Sequence, residues 1–259
     1  MPRHFRRAGL GAALVMPLLL AACGGGSQYD GSILSGQVLM SAANPVYDAG
    51  YGNVCVYAIT SGQGNPLNTT VVPATNTGTL LTSSCVPTDA NGNFSIDLSS
   101  FYGPVLVQIA AGSYTNVATG GSAALPNLSS TNASLQAVAN IGGGGTVNMV
   151  VTPLTTIATV KASAMSGGLS AADYAAASAN VAGQFQLGSL NINSAPVAGD
   201  AYDKALYGVQ QYLASGSGAN DDPNANNLLT WNLGASQVQA DYTAAYNLIN
   251  HSSASFSFN

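Results

Sequence analysis

Residues Pro87–Leu98 read P-T-D-A-N-G-N-F-S-I-D-L, and the first half of that string is suited to reversing a chain. Asp89 and Asn91 have short side chains that hydrogen-bond nearby backbone, and Gly92 tolerates the positive φ of a tight turn. Phe94 and Ile96 then turn inward from a strand that leaves the turn. The same signature recurs on either side. S-I-L-S-G-Q-V-L-M (32–40) precedes G-N-V-C-V-Y-A-I-T (52–60), in which Val54, Val56 and Ala58 alternate with Cys55, Tyr57 and Ile59. G-T-L-L-T-S-S-C-V (78–86) and G-P-V-L-V-Q-I-A (103–110) continue the series. Short β-rich runs punctuated by Gly, Pro, Asn and Asp predict an all-β sandwich over residues 33–151. At its end, Leu135–Asn140 and Thr146–Val151 read as a hairpin around Gly142–Gly145. The four glycines lack the Lys and Ser/Thr that complete a phosphate-binding loop, so they are read as a turn.

After Val151 the hydrophobic period changes from two to that of a helix. Thr152 stands as an N-cap before Pro153, whose missing N–H does no harm at the first helical position. Ser170 caps a second helix, with Asp173 at capping-box distance and Tyr174, Ala177, Val181 and Phe185 on one face; Gly188 is its expected end. Asp200 caps a third, with Tyr202, Leu206, Val209 and Leu213 aligned. A fourth, about 235–250, turns Val238, Tyr242, Ala245 and Ile249 inward. Ala-rich contacts suit close packing in a small bundle. The predicted class is α+β: an N-terminal antiparallel β-sandwich followed by a small C-terminal helical bundle.

Several of these strings resemble a known module. S-G-Q-V, N-V-C-V-Y-A-I, P-T-D-A-N-G-N-F-S-I-D-L and G-P-V-L-V-Q-I-A-A-G look like the carboxypeptidase regulatory-like domains, small transthyretin-like or Cna-B-like β-sandwiches. The resemblance spans about Ile33 to Gly120 and is carried best by the T-D-x-N-G-x-F turn. It implies a structural or adhesive unit more often than a catalytic one. The polar segment Gly62–Gly78 departs from the compact pattern and is a candidate contact surface.

The N-terminus carries a second resemblance. Arg3, Arg6 and Arg7 precede an apolar run, Ala8–Ala22, that is short for a membrane span and ends on Leu20-Ala21-Ala22-Cys23 before Gly24–Ser27. This resembles the lipobox of bacterial lipoproteins. The resemblance implies cleavage before Cys23, acylation of Cys23 on sulfur and nitrogen, and anchoring by chains that each add about 0.8 kcal/mol per buried methylene. Residues 1–22 are then signal peptide, 23–32 a flexible tether, 33–151 the β-sandwich and 152–259 the helical domain. Gly24 after the cysteine implies, by the same resemblance, the outer membrane of a Gram-negative envelope.

Composition narrows the partners. The chain has five Lys and Arg against ten acids, all Asp, and charged residues are only 6% of it. Past Cys23 the cations are Lys161 and Lys204. A chain so poor in cations lacks what neutralises phosphates, which argues against nucleic acid and anionic head groups and leaves the lipid as the membrane contact. Cys55 and Cys85 admit two readings. An oxidising compartment favours a disulfide between them; two buried thiols packed as small apolar groups are the other.

Chemistry-bearing constellations are scarce. Hydrolysis by a nucleophile needs a base and an orienting group, and past Cys23 the sole histidine is His251, in the tail H-S-S-A-S-F-S-F-N. A contact with a helix C-terminus suits His251 better, and the tail itself reads as frayed. No catalytic residue and no cofactor is assigned. Asp222, Asn224 and Asn226 have the D-x-N-x-N spacing of a calcium loop, as do Asp89, Asn91 and Asn93, but neither stretch has the closing carboxylate. Trp231 is the candidate for stacking on a sugar or anchoring a protein. The expected role is a non-catalytic, lipid-anchored envelope protein with a structural or binding function. The alternative is a surface-displayed adhesion or glycan-binding lipoprotein; an envelope hydrolase ranks third.

Overall fold

The computed structural model describes residues 31–48, 52–59, 80–125, 135–166, 168–215 and 234–258. Among them, nine strands are followed by four helices, so the class is α+β. The strands are β1 (Ser32–Ser41), β2 (Asn44–Pro45), β3 (Val54–Ala58), β4 (Asn93–Asp97), β5 (Gly103–Ile109), β6 (Ser113–Thr115), β7 (Ser122–Ala124), β8 (Leu135–Ile141) and β9 (Gly145–Val151). The helices are α1 (Pro153–Ser163), α2 (Ala171–Gln184), α3 (Ala201–Ser215) and α4 (Ser236–Asn250).

The sheet around β1 is mixed, where a purely antiparallel arrangement was expected. β1 pairs antiparallel with β4 on one edge and parallel with β9 on the other. Its far end also forms a short antiparallel ladder with β2. A second sheet runs β3–β5–β8, antiparallel throughout, and β6–β7 is a small ribbon. The hairpin expected around Gly142–Gly145 does not form: β8 pairs with β5 while β9 pairs with β1. Gly144 and Gly145 both take φ of 85°, which lets the chain cross from one sheet to the other within a few residues. Nor do residues 80–86 of the expected 78–86 run form a strand. Leu80 and Val86 make isolated bridges to Tyr57 and Val54, and the residues between them bend.

The turn before β4 forms as its residues require. Asp89 Oδ1 accepts from the backbone N–H of Asn91 and of Asn93, each at 2.8 Å, and Oδ2 accepts from Asn93 Nδ2 at 3.0 Å. Those bonds, the one from the Asn93 side chain foremost, hold the Asp89 carboxyl below its ordinary range. Gly92 has φ of 76°, and a Cβ there would lie 2.4 Å from the carbonyl oxygen of Val38. Gly36 is needed for another reason: Phe94 from the neighbouring strand lies over it, 2.5 Å from where a Cβ would stand.

One apolar cluster joins strands and helices. α1 is buried along most of its length, and its threonines finish the exposed edge of β8. Gln136 N–H donates to Thr156 Oγ1 at 2.8 Å, and Thr155 Oγ1 donates to Gln136 O at 2.9 Å. At Gln136 the edge strand is thus closed by side chains and not by another strand. The caps at Thr152 and Ser170 form as read, with Thr155 N–H on Thr152 Oγ1 and Asp173 N–H on Ser170 Oγ. Asp200 Oδ1 likewise accepts from Asp203 N–H. α2 ends at Gln184, before Gly188, where Phe185 leaves the helix and Gln186 takes φ of 57°. The helices pack as two pairs, α1 with α2 and α3 with α4; the first pair lies on β8 and α3 on β1.

Asp203 does more than start a helix. It is 1% exposed, and its carboxylate accepts from Ala42 N–H at 2.8 Å and Gly199 N–H at 2.9 Å. Two turns further, Gln210 donates to Met40 O and accepts from Val117 N–H. These two side chains fasten α3 to the end of β1 and to the loop after β6.

The tail is not frayed. Phe256 and Phe258, 4% and 5% exposed, pack on Tyr242 with ring centroids 5.0 and 5.5 Å away, and Phe258 also meets Phe185 at 5.1 Å. In an extended chain, residues two apart share a face, so F-S-F puts both rings on the protein and the serine outside. Gln239 Oε1 holds the Phe258 N–H, and Ser255 O accepts from Gln186 Nε2.

Two substitutions test this account under non-reducing urea denaturation. Phe258→Ala is expected to cost about 3 kcal/mol by emptying an aromatic site. Gly92→Ala should cost about 2 kcal/mol or more from the left-handed backbone and the Val38 carbonyl. A loss under half a kcal/mol at either position contradicts the packing described.

Candidate functional site

Along β1, β4 and β9 the residues facing the core are Leu34 and Val38, Phe94 and Ile96, and Val147 and Val151. Alternation therefore places Ser35, Gln37, Asn93, Ser95 and Asn148 on the opposite face. The registers line them up across the three strands: Ser95, Ser35 and Asn148 form one row, and Asn93, Gln37 and Val150 the next.

The connection between α2 and α3 closes one side of this face. Ile192 is fully buried, and its carbonyl accepts from the Tyr202 hydroxyl at 2.8 Å. Thr152 Oγ1 lies 2.7 Å from the same phenol oxygen; since that oxygen already donates to Ile192, the threonine is the donor. Next in the chain, Asn193 Oδ1 accepts from the Tyr174 hydroxyl at 2.7 Å, and Asn193 N–H donates to Asn191 Oδ1 at 2.9 Å. Two buried tyrosines, one from each flanking helix, thus set the height of Asn193–Ala195 above the sheet.

Between sheet and loop lies a groove of about 470 Å³ lined by Ser35, Gln37, Asn93, Asn148, Asn193 and Ser194, with Val150 and Ala195 among its other walls. Among the described residues no ionisable side chain lines it. Gln37 Nε2 donates to Asn91 O at 2.8 Å, and Asn93 Nδ2 is taken by Asp89. Three of the four carboxamides therefore have one end engaged and the other end without a protein partner among the described residues. Beyond the loop, a second cleft of about 480 Å³ is lined mainly by small residues of α2 and by Gly188–Asn193.

Cys55 and Cys85 are joined in a disulfide with Cα atoms 4.5 Å apart, which settles the choice between bridge and free thiols. It ties β3 to the bend at 80–86. His251 is exposed and ends α4 in the left-handed region, its N–H donating to Asn247 O. Asp89, Asn91 and Asn93 are engaged in their turn, with both Asp89 oxygens accepting turn hydrogens. Cys23, the Gly62–Gly78 segment, Asp222, Asn224, Asn226 and Trp231 lie outside the described residues. Among the described residues no three His, Cys, Asp or Glu side chains are grouped for a metal, and no helix is long and apolar enough to cross a membrane. The groove was not singled out from sequence. Its signal was there, in the polar positions spaced by two in S-G-Q, N-F-S and T-V-N, but only the register across three distant strands makes them one surface.

No protein-family model, curated protein or solved structure matches the chain.

Burial raises the pKa of Tyr174, Tyr202 and Tyr242 above the ordinary phenol value of 10.0, so their hydroxyls stay donors through the neutral range. A folded pKa above the unfolded one means this contribution is complete below pH 10 and is lost as pH rises past it. Spectrophotometric titration is therefore expected to show a tyrosine fraction that ionises only together with alkaline unfolding. Complete, reversible ionisation of every tyrosine in folded protein would contradict the burial of these three.

Proposed function

We propose that the chain is a non-catalytic bacterial lipoprotein, held at the cell envelope by acylated Cys23, with a structural or binding role. Its β-rich half is read as a carboxypeptidase regulatory-like sandwich and the half after Thr152 as a helical domain. The observation that carries this reading is the Cys55–Cys85 disulfide: a stapled body suits the oxidising compartment to which the Ala8–Ala22 leader would deliver it. The scarcity of cations fits a body that meets the membrane through its lipid alone. The outer membrane of a Gram-negative bacterium is the proposed location, from Gly24.

A second reading, a surface-displayed glycan-binding or adhesive lipoprotein, is favoured by one feature. The groove on β9–β1–β4 presents carboxamides and hydroxyls but no charge. A hydrolase ranks third: among the described residues lining this groove none could serve as its acid or base.

Mass spectrometry of the membrane-extracted protein tests the main reading. The expected mass begins at Cys23, carries acyl chains, and rises by the two thiol hydrogens on reduction. Cys23→Ser should move the protein from the membrane pellet to the soluble fraction. A serine variant that stays wholly in the pellet, or an unacylated mature mass, overturns the anchor.

A further inference from the structure

The groove's four carboxamides are not equivalent. Gln37 and Asn93 each have one amide N–H engaged, by Asn91 O and Asp89 Oδ2, which orients the amide and leaves its carbonyl oxygen without a partner among the described residues. Asn193 has its oxygen taken by Tyr174 and so presents an N–H donor. Asn148 has neither end committed to a partner among the described residues and offers whichever a ligand needs. Fixed acceptors and a fixed donor on an uncharged wall favour a partner whose groups both accept and donate and carry no charge. Hydroxyl groups have that character.

A peptide fits this place less well. Binding of an extended peptide usually adds a strand to a free sheet edge, and the groove lies on the face of a sheet whose central strand is bonded along both edges. Among the described lining residues an anionic ligand would find no cation, and a cationic one no carboxylate. The volume, about 470 Å³, is that of an ordinary small-molecule site.

We infer that this groove binds an uncharged saccharide, with Gln37 and Asn93 accepting from its hydroxyls, Asn193 donating, and Asn148 doing either. Tyr174 is a positioning residue, because it orients Asn193 without lining the groove. The inference rests on the binding role proposed above and gives that role a ligand class and a location; it does not depend on the anchor.

The test uses the full membrane-extracted protein in nanodiscs. It is screened against neutral, sialylated and sulfated oligosaccharides and against extended peptides, then titrated calorimetrically with the best neutral saccharide. Neutral saccharides are expected to bind in preference to the other classes. Asn148→Ala and Asn193→Ala should each weaken binding about three- to tenfold, the loss of one or two hydrogen bonds. Tyr174→Phe should weaken it too, although no contact atom is removed. Circular dichroism verifies folding; Asn148 is exposed on a strand, so its variant decides the matter even where a loop variant is unstable. Failure of every neutral saccharide to bind, a preference for anionic saccharides or peptides, or unchanged affinity in Asn148→Ala each overturns the inference. A protein that ignores saccharides yet leaves the membrane on Cys23→Ser defeats only the groove assignment. A serine variant that stays in the pellet but still binds sugar defeats only the anchor.

Discussion

β1 is hydrogen-bonded along both edges by segments far away in the chain. Residues 93–97 run antiparallel on one side, and residues 145–151 run parallel on the other. The parallel pairing is the constraint on which most else depends. Parallel strands cannot be joined by a tight turn, so the chain between β1 and β9 has to travel out, build the second sheet and return. It returns through two positive-φ glycines, which deliver β9 to β1 and leave β8 behind on β5. Because β9 ends at Val151, the same pairing sets where Thr152 stands and therefore where α1 begins.

Beside the apolar core they share, helices and strands are joined by polar contacts that are almost uncharged. Asp203 and Gln210 bind backbone groups near the end of β1 and beyond β6, and Thr155 and Thr156 bind backbone groups of β8. Buried backbone groups at strand ends and edges must find partners, and a carboxylate, amide or hydroxyl of fixed geometry supplies them. In a chain with so few charges, these contacts stand where ion pairs would elsewhere. Asp203 is the exception in charge but not in logic, since its neighbours are two N–H groups and not a cation.

The same frame produces the groove. β1 pairs with β4 and β9 in registers that stack polar side chains on the face away from the core, and Tyr174 and Tyr202 hold the α2–α3 connection over that face. Both tyrosines are core residues whose hydroxyls reach outward to the loop, so packing of the helical half and geometry of the groove are one structural fact. Asp89 has a similar double part: it makes the turn that starts β4, and it aims the amide of Asn93.

Local chemistry was legible in the sequence because it acts over a few residues. The turn at Asp89–Gly92, the caps at Thr152, Ser170 and Asp200, the helix faces through Tyr174 and Tyr202, and most of the strands depend on side chains near their own backbone. Where local cues misled, distant partners decided. Gly142–Gly145 look like a hairpin turn until β1 claims β9; the last residues look frayed until Tyr242 and Phe185 offer Phe256 and Phe258 a cover. The Cys55–Cys85 bridge, favoured from the sequence, forms because the fold brings β3 beside the bend at 80–86. The groove is the extreme case: its amides come from β1, β4, β9 and a helix connection, and nothing within any one segment says that they meet. A hydrogen bond to the next turn of chain is written in sequence, whereas a register between strands is set only when the whole core closes around it.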